Sequence, residues 1–371
     1  MEILKEIAPV ILRDLVSEKV PPFVNGGIFL LKPNQKQYRN SKPFKNIHQQ
    51  IKLLSSRGIQ FSDYRKAKRY LHTNNYYNVI NGYGNYFFDS SGNYLPNTNF
   101  DEIIKVNFYD KEIKYVFFRA ILDIERHLKS IVAYLFARKY KEKHRFYEAY
   151  NDIDTFAFNF NNMKPSNISK QLNDVRYLTS QINKLQIKKR KSKNNNPIKH
   201  YLKKAGGVPI WIIIDYLTLG ELLILLKYQE DSFKNEVASR FFTFIKENFN
   251  PCSMPFTSEI MTSFLDNICE IRNICAHNNR LYDFQCKANT KYYQPLHSIY
   301  GISTRQSRKS VYETFITMQC FLTNTEYKTL HNSLVNRFRS LDNALSTISI
   351  NKLLKSLGFP DDWHTNTGKI K

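Results

Sequence analysis

The chain has 371 residues, 42% of them hydrophobic, which is long enough and apolar enough to bury a sizeable core; only 12 Gly and 13 Pro exclude collagen-like, linker-like and turn-dense β architectures. Fifty-five Lys and Arg against 32 Asp and Glu leave a formal charge of +23, an excess that repels itself in a compact state and that a polyphosphate partner would neutralise. Five cysteines with no CxxC pair exclude a recognisable zinc site or disulfide framework, and reduced thiols in a cytoplasmic protein are the expectation.

In chain order, residues 1–20 read as an amphipathic helix, because Glu2, Glu6, Arg13 and Asp14 interrupt what would otherwise resemble a signal peptide. Helical spacing recurs over 45–56 and 62–73. The second of these carries Arg65, Lys66, Lys68 and Arg69 on adjacent turns, a candidate set of RNA phosphate contacts, with Tyr76 and Tyr77 following as candidate base-stacking rings. The turn-rich segment 89–99 could close a short hairpin. Asn99, Phe100, Asp101 and Glu102 look like a helix start, and Ile113, Phe117, Ala120, Ile124, Leu128, Ile131 and Leu135 then recur in steps of three and four, one face of a long helix. Glu125 on this helix either pairs with Arg119 or Arg126, or buttresses a functional cation elsewhere.

A further helix is predicted over 164–185, followed by the run KKRKSKNNN at 188–196. Such a run is commonly a solvated, mobile face, but Lys188, Lys189 and Arg190 are also candidates for RNA backbone contact. The most apolar stretch, Val208 to Leu226, holds Asp215 and Glu221, each costing roughly 2.5–3.5 kcal/mol near a bilayer centre. It is therefore read as a buried helix within 208–229 rather than a membrane span, with Pro209 in its first turn and Trp211 in the core. Helices are expected over 232–247, 258–280, 310–321 and 325–344, with 286–309 a long loop; Lys328, Arg337 and Arg339 on the last helix are further cationic candidates. Three regions follow: a helical 1–100, a core of 101–285 with a basic insertion near 186–204, and a loop with C-terminal helices over 286–371.

One constellation could carry chemistry. Residues 271–283 read IRNICAHNNRLYD, with Arg272 and His277 separated by four residues. The spacing matches the R-x4-6-H motif of HEPN domains, although Arg65/His72 and Arg138/His144 match it too. Context favours the first pair, because Asn273, His277 and Arg280 fall at i, i+4 and i+7 beside an apolar stripe of Ile260, Phe264, Ile268, Ile271 and Cys275. RNA carries its own nucleophile, so cleavage needs a group titrating near neutrality and a fixed cation for charge growing on the phosphoryl oxygens. His277 and Arg272 are of those types, with Asn273 able to orient either the imidazole or a phosphate oxygen and Arg280 able to grip RNA. No metal and no cofactor is needed for that chemistry. Five helical steps turn about 140°, so the two side chains do not share a face, and a two-fold homodimer offering both pairs to one cleft is the simplest way to unite them. The bland alternative is a His set favourably at a helix C-terminus and an Arg that snorkels from the core.

Four blocks carry a wider resemblance: 42–83 with its RG and NYY…GY landmarks, 115–134 with Arg119, Glu125 and Arg126, 208–226 with Pro209, Trp211, Thr218 and Gly220, and 265–283, followed late by LGFPDDW at 357–363. From Lys42 to Trp363 the chain resembles the Abi-like proteins, the AbiD/AbiF group of phage abortive-infection factors. The resemblance implies an all-α, multi-helix HEPN-like bundle with an additional N-terminal helical region. It implies a toxic endoribonuclease, restrained in some members by a small noncoding RNA, with target RNA as the second partner and no membrane.

Overall fold

The computed structural model describes residues 44–142, 146–158, 164–249 and 254–370. The chain divides between Asn46 and Ile47, and the compact unit beginning at Ile47 carries every described helix. The amphipathic reading of residues 1–20, and His144 of the third R-x4-6-H match, lie outside the described residues. Among the described residues there is no regular strand, only three isolated bridges, and the architecture is all-α.

Helices α1 (Ile47–Ser56) and α2 (Tyr64–Thr73) form a hairpin, α2 opening on Asp63, whose carboxylate accepts from the Arg65 and Lys66 amides. The longest described helix is α3 (Phe100–Lys139), 40 residues and so roughly 60 Å long. Its start is set chemically: Asn99 accepts from the Asp101 amide, and Asp101 and Glu102 in the first turn oppose Arg138 and Lys139 in the last, both favourable to the helix dipole. Its apolar stripe, Ile113, Phe117, Ile124 and Leu128 among others, is buried as the periodicity predicts.

Next come α4 (Pro165–Lys191), α5 (Pro197–Ala205), α6 (Leu219–Lys227), α7 (Asp231–Asn248) and α8 (Ser258–Ala276). Then follow α9 (Val311–Thr317), α10 (Asn324–Asp342), α11 (Ile350–Leu357) and a last helical turn at Trp363–Asn366 that packs on α10. Both α8 and α10 pack along α3, and the core continues from these two seams into the other helices. Glu102 anchors the C-terminal region to the start of α3, accepting from the amides of Ser346 (3.1 Å) and Thr347 (3.0 Å) and from both hydroxyls.

The structure departs from the sequence expectations at several places. The stretch 208–229 is not one helix: a turn at Ile210–Ile213 and a 3-10 turn at Ile214–Tyr216 end before Thr218, which starts α6 with a capping box. Thr218 and Glu221 exchange bonds with each other's backbone amides, satisfying two donors that a continuing helix would have used differently. Trp211, in the first of these turns, is not a core residue but 40% exposed. The expected hairpin at 89–99 reduces to one Phe88–Tyr94 bridge around a turn in which Asp89 accepts from the Ser91 and Asn93 amides.

The stretch 286–309, expected to be a loop throughout, carries a helical turn at Gln294–His297 and a 3-10 turn at Ser298–Tyr300, and buried polar groups tie it to the rest of the fold. Glu313 accepts from Thr290 (2.8 Å) and pairs with His297 (2.6 Å), while Arg308 donates to the carbonyls of Thr290, Ser303, Thr304 and Gln306. The basic run at 188–196 is likewise structured: α4 extends through Lys191, Lys189 lies 4.8 Å from the Tyr216 ring centroid, and Asn196 caps α5. No helix among the described residues is long and apolar enough to cross a membrane.

Candidate functional site at the end of helix α8

Helix α8 ends at Ala276, four residues earlier than its periodicity predicts. His277 is the C-cap, its amide donating to the Asn273 carbonyl at 3.0 Å, and Asn278 takes a left-handed conformation (φ 52°) that turns the chain away. Asn is among the few residues that enter this region without large strain, so the doublet after His277 is a stop signal. Arg280 consequently leaves the helical line with Asn273 and His277. It donates to the Gly82 carbonyl and sits 3.4 Å from Asp283, which also accepts from Tyr86. As a result its guanidinium is held by the fold at the edge of the cleft between this turn and the segment after α2.

The turn is clamped from below. On α3, Asp110 and Lys114 lie one turn apart, both buried, and pair at 2.8 Å. Lys114 also donates to the Asn278 side chain and the Asn279 carbonyl, each at 2.9 Å. Asp110 accepts from the Leu281 amide (3.0 Å) and the Tyr83 hydroxyl (2.9 Å), and burial followed by that carboxylate pushes the Tyr83 phenol well above its ordinary range. Every charge here has several partners, the condition under which a buried ion pair is tolerated. Sequence reading misses this knot; its signal is an Asp and a Lys at i, i+4 set among apolar residues that continue the buried stripe of α3.

Above the clamp His277 and Asn273 are exposed, and Arg272 is partly buried with its guanidinium 6.0 Å from the Phe118 ring centroid. Among the described residues no hydrogen bond or ion pair joins Arg272 to His277. Arg272 has no carboxylate partner among them, and its Nε is buried without an acceptor. Among the described residues the other non-exposed arginines, Arg280, Arg308, Arg337 and Arg339, each have a hydrogen bond or ion pair. Glu125 pairs with Lys129 at 2.7 Å rather than with Arg119 or Arg126, because Lys129 lies at i+4 while Arg126 is drawn to Asp123 and Glu326. One Glu125 oxygen is also buried without a partner. Both charges act on Cys269, whose thiol burial pushes up to about 11; Arg272 lowers it and Glu125 raises it.

The remaining candidates lie elsewhere. Arg119 is exposed and lines a groove with Glu112 and Arg337 between α3 and α10. On α2 Arg65, Lys66, Lys68 and Arg69 are all exposed, and Lys66 is within 3.1 Å of Asp101. Arg65 and Lys68 share a cleft with His48, Lys52 and Tyr64, so the cations of α1 and α2 converge. Lys188, Lys189 and Arg190 form the last turn of α4. Among the described residues no group of three or more His, Cys, Asp or Glu is placed to hold a metal ion.

No curated protein and no solved structure matches the chain. A family model described as "Abi-like protein" matches residues 69–283, a span that runs from the end of α2 through α3 to the turn beyond His277 and takes in more than half of the sequence. The chain therefore belongs to the Abi-like protein family, which is associated with abortive infection.

Proposed function

We propose that the protein is an endoribonuclease toxin of an anti-phage abortive-infection system, acting through Arg272 and His277 without a metal. The observation that carries this reading is the state of Arg272: a partly buried guanidinium with an unsatisfied Nε and no carboxylate, on the helix whose end exposes His277. Structural arginines are paired; one that lacks a carboxylate, on a helix that ends at an exposed imidazole, is available to an anion.

In this reading His277 takes the proton from a ribose 2′-hydroxyl, and that oxygen attacks the adjacent phosphorus. The bond to the 5′-oxygen breaks, and the leaving oxygen takes a proton from a second imidazole or from water. The products are a 2′,3′-cyclic phosphate and a 5′-hydroxyl. Arg272 stabilises the charge that grows on the non-bridging oxygens, the point where a fixed cation lowers the barrier most. In a homodimer the second His277 and Arg272 would face the same phosphate, giving one imidazole as base and one as acid. The excess of positive charge suits a protein that also holds a small noncoding RNA as its restraint.

The test is expression in bacteria with and without phage. His277→Ala and Arg272→Ala, purified and shown to melt like the wild type, should lose toxicity by at least about a hundredfold in surviving colonies, the scale of removing a general acid–base group. Sequencing RNA that copurifies should return one stoichiometric small species. Equal toxicity of the His277 variant and the wild type would overturn the catalytic reading, leaving a non-catalytic RNA-binding scaffold.

A further inference from the structure

A cleft of roughly 490 Å³ opens beside the turn that follows His277. One wall is Asn278 and Asn279; the other is the segment after α2, with Tyr77, Asn78 and Asn81, and Lys111 of α3 contributes a cation. No carboxylate lines it. Three of its amides, those of Asn78, Asn81 and Asn279, make no side-chain hydrogen bond among the described residues, and the Asn78, Asn81, Asn278 and Asn279 residues are all exposed. The Tyr77 ring is 68% exposed.

The backbone adds an independent observation. Tyr77–Asn81 forms a single turn of π-helix, an uncommon and less favourable winding that recurs at functional sites. Its buried residues, Val79 and Ile80, are held in the core, so the turn is fixed while Tyr77, Asn78 and Asn81 point to solvent. The opposite wall is fixed too, by the buried Lys114 contacts to Asn278 and Asn279.

The chemistry selects a ligand class. A primary amide offers a donor and an acceptor side by side, which matches the edge of a nucleobase, and an exposed phenol ring offers a stacking face to any base. A lysine in a cleft without carboxylates suits a phosphate. We infer that this cleft is a base-reading subsite for single-stranded RNA: it seats the nucleotide flanking the scissile phosphate, with Tyr77 stacking, Asn78, Asn81 and Asn279 reading the base edge, and Lys111 holding the backbone. The inference rests on the ribonuclease reading for the word "scissile" and on the cleft alone for RNA binding. These are positioning and specificity residues, not catalytic ones.

Two measurements separate the claims. In the first, His277→Ala protein is titrated with fluorescein-labelled 12-nucleotide RNAs of A, C, G or U, read by anisotropy at fixed salt. The Asn78→Ala/Asn81→Ala/Asn279→Ala triple variant should lose about tenfold in affinity for the preferred homopolymer and little for the others, and Tyr77→Ala should weaken all four by about fivefold or more. In the second, wild type and triple variant cut a mixed-sequence RNA, and cleavage sites are mapped. The variant should cut with a broadened base preference beside the scissile bond and a raised KM. Unchanged affinities for all four homopolymers, with unchanged cleavage positions, would overturn the subsite. Binding that responds to these substitutions in a wild-type protein that cuts nothing would keep the RNA subsite and sink the nuclease.

Discussion

At the scale of single residues the site depends on charges that are satisfied and charges that are not. Asp110 and Lys114 are fully engaged beneath the α8 turn, whereas Arg272 and Glu125 each keep a buried atom unpartnered. This contrast distinguishes the clamp from Arg272, the proposed cation of the site. Lys114→Met strands the Asp110 carboxylate in the core and should cost about 3–5 kcal/mol of stability, whereas removing both charges together with apolar residues of similar size should cost much less. Urea unfolding of the two variants measures the difference; equal losses would show that the pair is not coupled. The R-x4-H spacing makes Arg272 and His277 legible in the sequence, because the motif is local. The absence of a partner for Arg272, and the Lys129 partner of Glu125, are not legible there, because both depend on which of several nearby charges the helix packing brings into reach.

At the scale of elements, long periodic stripes are legible in the sequence and interruptions are not. The α3 stripe and its Asn99 start are both plain, since forty residues give the period many repeats and the cap is a short local signal. In 208–229 a hydropathy window sees continuous apolar character and misses that T-L-G-E at 218–221 is a helix start. The same bias extends α8 to residue 280 although Asn278 and Asn279 stop it. Both errors come from weighting burial above backbone satisfaction, and the second falls where an exposed candidate residue, His277, emerges. Thr218→Ala removes half of the capping box and should lower stability by about 1 kcal/mol, with Thr218→Ser close to the wild type. Thermal melts followed by circular dichroism test this, and an unchanged melting temperature for the alanine variant would show that the break is set by packing instead.

At the scale of the whole molecule, cations of a chain with a charge of +23 stand on more than one face among the described residues. The α1–α2 cleft, the end of α4 and the cleft beside His277 each present cations. If the end of α4 touches RNA backbone, replacing Lys188, Lys189 and Arg190 with Ala should reduce the slope of log affinity against log salt by about 0.7 for each phosphate no longer neutralised, weakening all sequences alike. An unaltered slope would remove that face from the RNA-binding surface. The chemistry at the end of α8 is the point on which the toxin depends, and the end groups of cleaved RNA report on it directly. Purified protein incubated with labelled RNA in excess chelator should yield 2′,3′-cyclic phosphate and 5′-hydroxyl ends that vanish with His277→Ala. Products bearing 3′-hydroxyl and 5′-phosphate ends, or cleavage that persists in the His277 variant, would contradict it.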